Sequence, residues 1–453
     1  MRVKIQPTRL TIAIPWRFAD TDPYRIHHGA GNRCRLLVAM ATNGKTMTSH
    51  LVSCCLLSLV AFQVEDPTFK VVKPESVQLD SKKLEGIDEY MQKQVDDGKI
   101  VGCLGLIARG DDVAYFRMWG DMNREKQQPM QADTIFRIYS MSKPITSVAA
   151  MQLIEQGRMQ LDDPVSKYLP AMKDMKVLRG GEEIPAKTAI TVRHVMSHQA
   201  GFTYGFFGNS DVDQAYRKAG VLITDATIED TVRKLGDLPL QFQPGTRWHY
   251  SVATDVLGRL VEVVSGERFD RYLQKHIFEP LKMTDTSFMV PREKMDRFAA
   301  MYRERNGELK LARPISSIRF TNPRNKYFSG GGGLCSTTKD YLRFCRALLR
   351  GGELDGARII KTESIKQMTT NQLKTPGFRF GLGFSITPEG EYAWGGAAGT
   401  RFYINPKRNL IGIYMIQINP YGGRKHGGRM RSITMSADMR EPAAKDAPTA
   451  PMP

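Results

Sequence analysis

Ser140-Met141-Ser142-Lys143-Pro144-Ile145-Thr146-Ser147-Val148-Ala149-Ala150-Met151-Gln152-Leu153-Ile154-Glu155-Gln156 is the stretch on which the reading of this chain turns. Ile145, Val148, Ala149, Met151 and Ile154 fall at helical spacing, and Gly157 ends the run. Pro144 lies in the first turn, where a missing N–H is tolerated. Ser140 and Lys143 are three positions apart, so a helix puts them on one face. A lysine there reaches the serine hydroxyl, and desolvating an ammonium favours the proton-accepting amine. A serine at a helix N-terminus also has backbone N–H groups aimed at any oxyanion that develops beside it. The same spacing recurs at Ser336-Thr337-Thr338-Lys339, after Gly330-Gly331-Gly332-Gly333. There Thr337 and Asp340 have capping-box spacing, so the second copy reads as a helix start.

Upstream of this stretch, residues 83–98 have amphipathic helical spacing. Residues 100–108 and 113–119 read as strands joined by Arg109-Gly110-Asp111-Asp112, and 135–138 is short and extended. Downstream, 160–315 is mainly helix and loop, broken at Pro164, Pro170, Gly201, Pro244-Gly245 and Pro280. Helices are expected at 252–264 and 337–350. Strands return at 380–387, 391–396, 401–404 and 410–418, the last two joined by the turn Asn405-Pro406-Lys407-Arg408-Asn409. Strands at both ends and helices between them point to an α+β fold. Its antiparallel sheet is built from both termini and flanked by helices, with an all-helical subdomain inserted at about 160–315.

The 453 residues are 41% hydrophobic and 25% charged, which fits globular protein rather than disorder. The net charge of +18 raises the question of an acidic partner. Residues 1–46 carry eight Lys/Arg against two Asp/Glu, and 421–453 carry six against three, so +6 and +3 sit at the ends. The other +9 is spread without long like-charge runs, and no nucleic-acid motif accompanies it, so no nucleic-acid partner is expected. Six cysteines (34, 54, 55, 103, 335 and 345) form neither a CxxC pair nor a metal spacing, and read as buried free thiols. Leu51–Phe62 is too short to span a bilayer but fits the apolar part of a secretory signal, with a buried strand or short helix as the alternative. We expect residues 1–63 to be a presequence, with 47–63 the signal-like part and 1–39 an artefact of start-site choice at Met40 or Met47. A globular domain over 64–429 and a disordered tail over 430–453 follow. The processed protein is expected to be exported, periplasmic or secreted, without stable membrane insertion, or cytoplasmic if 47–63 is no signal.

Two further features accompany Ser140. Tyr250-Ser251-Val252 follows Gln243-Pro244-Gly245-Thr246-Arg247-Trp248-His249, a loop that leads into a helix, so Tyr250 can face a cleft. Trp394-Gly395-Gly396-Ala397 is a strand whose glycines let a ligand approach its backbone, or else a β-bulge. Ser-x-x-Lys, then Tyr-Ser-x, then a Gly-containing strand near the C-terminus is the order found in serine β-lactamases and penicillin-binding proteins. Gly157–Pro170 resembles the segment after the nucleophile helix in class C β-lactamases and related esterases. Val195-Met196-Ser197-His198-Gln199-Ala200-Gly201-Phe202 resembles their Leu-Leu-Ser-His-Thr-Ser-Gly-Leu. Pro280–Phe288 and Ser329–Leu334 are similar to two more family blocks. The resemblance covers roughly 80–425.

Two departures bear on substrate. The family's Tyr-x-Asn is here Tyr250-Ser251-Val252, and its Lys-Thr-Gly strand is Trp394-Gly395-Gly396. In β-lactam-binding relatives the missing Lys and amide help hold the ligand's carboxylate and amide. A Trp-Gly-Gly strand is instead similar to the family VIII-type carboxylesterases. Arg401 or Arg379 could supply a replacement cation.

The resemblance thus implies acyl transfer through Ser140. Lys143 and Tyr250 take its proton, the N–H groups of Ser140 and Ala397 form the oxyanion hole, and Trp394, Gly395 and Gly396 line the substrate site, with no metal or cofactor. The leading expectation is a carboxylesterase acting on small or medium esters. A β-lactamase, D-alanyl-D-alanine carboxypeptidase or D-aminopeptidase, acting on an amide, is the alternative. A non-catalytic ligand-binding protein on the same fold is the third reading. His198 and His249 are expected to be structural. Gly330–Gly333 lacks the Gly-Lys-Ser/Thr ending of a phosphate loop.

Overall fold

Gly102–Arg109 (β1) is buried at every position, and its side chains alternate between two apolar cores. Cys103 and Ile107 enter one core, Leu104, Leu106 and Ala108 the other. This period of two, with both faces covered, is what a strand sandwiched between helical layers requires. Its neighbours are Asp112–Asn123 (β2), which follows it by a hairpin, and a strand from the far end of the chain. With Gln128–Pro129 (β3), Ser385–Ile386 (β4), Tyr392–Gly395 (β5), Arg401–Asn405 (β6) and Leu410–Ile416 (β7), they form one seven-stranded sheet in the order β4-β5-β6-β7-β1-β2-β3. Every neighbouring pair is antiparallel. The chain thus has the α+β architecture expected for it, with an antiparallel sheet drawn from both termini. The computed structural model describes residues 70–222, 226–312, 319–374, 378–421 and 425–440. The presequence expectation for 1–63 lies outside these residues.

On one face, Ser81–Asp96 (α1) begins at Asp80, whose side chain accepts from the Lys83 N–H at 3.1 Å. It packs against a C-terminal helix through Leu84, Ile87 and Met91. On the other face, Ser142–Glu155 (α2) runs between the sheet and Ala253–Ser265 (α3), while Thr338–Leu349 (α4) packs on β7. Twelve of the fourteen α2 residues are buried, so this helix is a central rod rather than the one-faced helix its spacing implied.

Two expectations need correction. The segment from 430 is no tail at its start: His426–Ala437 (α5) is a helix, with Met430, Ile433 and Ala437 in the core beside α1. Burying each large side chain of this kind contributes roughly 1.5–3 kcal/mol, which outweighs the poor helix propensity of Gly427 and Gly428. Asp438 anchors its end by accepting from Arg109 at 2.8 Å, from Arg440 and from Arg408. Burial pushes the Asp438 carboxyl up, but the hydrogen bonds from Arg109 and Arg408 outweigh it and hold the group at about 2. The inserted region is mostly helix and loop but not all-helical. Lys176–Arg179 pairs with Glu182–Pro185, and Tyr302–Arg305 with Glu308–Leu311. Each hairpin closes on two residues of positive φ, Gly180-Gly181 and Asn306-Gly307, which match the twist of the paired strands. Cys103, Cys335 and Cys345 are free and buried, as expected.

Candidate active site

The chain leaves the short strand Phe136–Arg137 and turns sharply before α2. The turn puts Tyr139 at φ +41°, a conformation rarely adopted by a bulky residue, with its ring edge-on to Phe320. Tyr139–Met141 then forms one 3-10 turn leading into α2, so Ser140 stands just ahead of the helix rather than within it. Two buried contacts fix this turn: the Leu334 N–H donates to Ser142 Oγ at 3.1 Å, and Tyr341 Oη donates to the Met141 carbonyl at 2.9 Å.

Ser140 Oγ accepts from Lys143 Nζ at 3.2 Å and from Tyr250 Oη at 2.6 Å. The three side chains expected to act together are therefore within hydrogen-bonding distance. Lys143 is fully buried, and its Nζ also donates to Tyr204 Oη at 2.8 Å and to the Gly331 carbonyl at 2.5 Å. Its three N–H bonds thus meet three neutral oxygens, and the ammonium lies over the Tyr250 ring, 4.6 Å from the centroid. A serine hydroxyl between an amine and a phenolic oxygen can pass its proton to whichever of the two is deprotonated, which is what an activated nucleophile requires.

Tyr204 was not anticipated from the sequence. Burial, then the neighbouring Tyr250 and Asp255, push its phenol well above the ordinary value, so it stays protonated and holds Lys143 as a neutral acceptor. Asp255, from the first turn of α3, was also missed. It is buried and accepts from Ser329 Oγ at 2.5 Å and from the Gly331 N–H at 3.2 Å, which aims the Gly331 carbonyl at Lys143. The first two glycines of the run are required by this close approach of α3. A Cβ on Gly330 would lie 2.5 Å from the Thr254 carbonyl, and one on Gly331 would lie 2.8 Å from Asp255 Oδ2. Tyr204→Phe is expected to lower kcat by about 10- to 100-fold, the range for losing a hydrogen bond to a charged donor. Because the ring packing survives, KM should stay within about two-fold. Steady-state kinetics separate the two, and a rise in KM with unchanged kcat would make Tyr204 a substrate contact instead of a positioning residue.

The other candidates are distributed as their chemistry demands. Trp394 is half-buried, with its ring 5.5 Å from Tyr250 and 5.2 Å from Phe380. Gly395 ends β5 and Gly396 opens the turn that follows. A Cβ on Gly396 would lie 2.4 Å from the Ile138 carbonyl, so the turn carrying exposed Ala397 lies directly against the chain leading to Ser140. His198 is buried behind Tyr250 at 5.0 Å between ring centroids. Burial, then nearby Lys143 and His249, hold its imidazole well below the ordinary value, so it serves as a neutral prop. His249 packs against Phe242, away from Ser140. Around the mouth, Phe206, Phe207 and Phe378 are exposed yet join Trp248, Tyr250 and Trp394 in one aromatic wall. At Ser336–Lys339, the second Ser-x-x-Lys, Thr337 caps α4 by accepting from the Asp340 N–H. Among the described residues no cluster of His, Cys, Asp and Glu could hold a metal ion.

Residues 87–432 match the Beta-lactamase family profile. Protein Rv1367c of Mycobacterium tuberculosis (strain ATCC 25618 / H37Rv) is 31% identical over 74% of this chain and 90% of its own length. Esterase EstB of Burkholderia gladioli is 28% identical over 73% of this chain and 90% of its own. Among solved structures, EstCE1, described as a hydrolase with promiscuous acyltransferase activity, superposes with a TM-score of 0.69 at 27% identity. That match covers 80% of this chain and 99% of EstCE1.

Proposed function

The chain belongs to the Beta-lactamase family of serine hydrolases, and from that premise we propose that it is a carboxylesterase acting on small or medium esters through an acyl-enzyme on Ser140. One observation carries the reading: Ser140 Oγ lies between Lys143 Nζ and Tyr250 Oη under an aromatic wall that includes Trp394. The Lys143–Tyr250 pair acts short of one proton: whichever of Lys143 Nζ and Tyr250 Oη is deprotonated takes the Ser140 proton as Oγ bonds to the ester carbonyl carbon. The oxyanion is held by the N–H groups of Ser140 and Ala397. When the C–O bond to the alcohol breaks, Tyr250 Oη gives the departing oxygen its proton. Water then enters the vacated place, gives a proton to the same pair and releases the acid, which restores Ser140.

An ester fits better than a β-lactam or a D-alanyl amide because position 394 offers an indole rather than an ammonium. An apolar wall gives no partner to a ligand carboxylate at that point. The name of Esterase EstB points the same way. Among the described residues no helix is long and apolar enough to cross a membrane, and the signal-like stretch 47–63 supports export. The test is turnover of nitrophenyl acetate and butyrate beside nitrocefin, with a fluorophosphonate probe for the nucleophile. We expect nitrophenyl ester turnover and labelling of Ser140. Faster turnover of nitrocefin would transfer the assignment to β-lactam hydrolysis, and no labelling would favour a non-catalytic binding protein.

A further inference from the structure

The rings at the mouth of the site run from Ser140 out into solvent. Phe207 lies 5.8 Å from Tyr250, Tyr250 6.3 Å from Trp248, and Trp248 4.8 Å from Phe378, between ring centroids. Tyr250 Oη bonds Ser140, so the band passes over the nucleophile. Its ends face water: Phe206 is 57% exposed, Phe207 62% and Phe378 42%. The other large hydrophobic side chains exposed among the described residues are Val263, Leu311 and Met439, none of them aromatic. Single exposed apolar side chains need no explanation, but a contiguous patch marks a surface that something covers.

This exposure is built into the loop. The Gly205 N–H donates to Thr203 Oγ1 at 3.1 Å, and Thr203 Oγ1 donates to Asp213 at 2.5 Å. Arg217, on the helix Asp211–Lys218, donates to the Gly205 carbonyl, to the Gly208 carbonyl at 3.1 Å and to Asn209 Oδ1 at 2.6 Å. Phe206 and Phe207, 4.4 Å apart, therefore stand outward on a braced turn. The charge beside the rings is positive. Exposed Arg247 precedes Trp248, and exposed Arg379 lies between Phe378 and Phe380. Neither forms an ion pair among the described residues, whereas Arg193, which bonds Gln372 beside Phe380, takes Asp162 at 2.8 Å. Whatever covers this patch must leave Ser140 supplied with substrate. A second copy or a tightly seated protein would shut the site. An anionic lipid surface meets every condition: its acyl chains accept the rings, its headgroups accept the cations, and it carries esters of its own.

We propose that the mouth of the site docks on an anionic lipid surface, so that the esters reaching Ser140 are drawn from lipid. This inference rests on the esterase reading and names its substrate class. The first test is sedimentation with vesicles, using the full-length Ser140→Ala chain so that no lipid is consumed. Vesicles of phosphatidylcholine mixed with phosphatidylglycerol should bind it, and phosphatidylcholine alone should bind it more weakly, the difference shrinking as salt screens it. Adding Phe206→Ser/Phe207→Ser/Phe378→Ser, checked for an unchanged melting temperature, should weaken binding to the mixed vesicles at least ten-fold. Adding Arg247→Gln/Arg379→Gln instead should cut the preference for phosphatidylglycerol at least five-fold. Every variant keeps the same N-terminal segment, so the differences report the patch. With Ser140 intact, the three ring substitutions should lower turnover of dioctanoylglycerol carried in the vesicles at least ten-fold more than turnover of soluble nitrophenyl acetate. Unchanged vesicle binding in the ring variant, or equal losses on the two substrates, would overturn the docking surface. Self-association that the ring variant abolishes would give the patch to a second copy instead. Ester turnover without vesicle binding would overturn the surface and leave the esterase reading intact. Vesicle binding without ester turnover would uphold the surface and remove the esterase reading.

Discussion

Ser140→Ala is expected to lower kcat on a nitrophenyl ester by a factor on the order of 10⁴–10⁶, the loss typical when the nucleophile of a coupled triad is removed. The fold should be unaffected. Ser140 is half-buried, and among the described residues its hydroxyl bonds only to Lys143 and Tyr250. The turn that carries it is held instead through Ser142 Oγ and the Met141 carbonyl. Alanine therefore removes the atom proposed to attack without opening a cavity or releasing the turn. The residual rate comes from oxyanion N–H groups and binding, which the substitution spares. Intact-mass spectrometry after mixing with substrate should show an acyl adduct on the unaltered chain and none on the variant. More than a tenth of normal turnover in Ser140→Ala would move the nucleophile elsewhere.

How much of this was legible in the sequence differs from residue to residue. Ser140 and Lys143 share a helix turn, and a local period is readable from spacing alone. Tyr250 and the 394–397 strand are far away in sequence. Nothing in their spacing joins them to Ser140, so the order of family motifs had to do so. Tyr204 had no such signal: Phe202-Thr203-Tyr204-Gly205-Phe206-Phe207 has no period, and a tyrosine among phenylalanines reads as core. Its contact with Lys143 exists only because this loop is folded over the start of α2. Gly330 and Gly331 show the same limit, because their reason is the close approach of α3 at Thr254 and Asp255. By contrast, the two-residue hairpins at Gly180-Gly181 and Asn306-Gly307 were readable as turn chemistry, and a region dominated by helix hid them. Helix α5 forms despite Gly427 and Gly428 because packing against α1 and the Asp438 anchor decide the matter, and neither is local.

Lys143→Arg is expected to be nearly as damaging as Lys143→Met, each lowering kcat about 10²–10⁴-fold, the usual span for a lost acid–base group. The comparison separates charge from proton transfer. If Lys143 acted only as a fixed positive charge beside Ser140, arginine would preserve much of the rate. Arginine does not give up its proton in proteins, however, and its planar fork cannot reproduce three bonds that converge from one nitrogen on Ser140 Oγ, Tyr204 Oη and the Gly331 carbonyl. Methionine has the opposite fault: it fills the volume but takes the Lys143 donor from Tyr204 Oη and the Gly331 carbonyl. Orphaning a buried acceptor costs about 1–3 kcal/mol, but methionine also removes a buried cation that has no carboxylate partner, so these stability terms oppose each other. Thermal melts of Lys143→Met should accordingly move by only a few degrees while activity collapses. A Lys143→Arg enzyme within about five-fold of normal would reduce Lys143 to an electrostatic role and leave Tyr250 as the base.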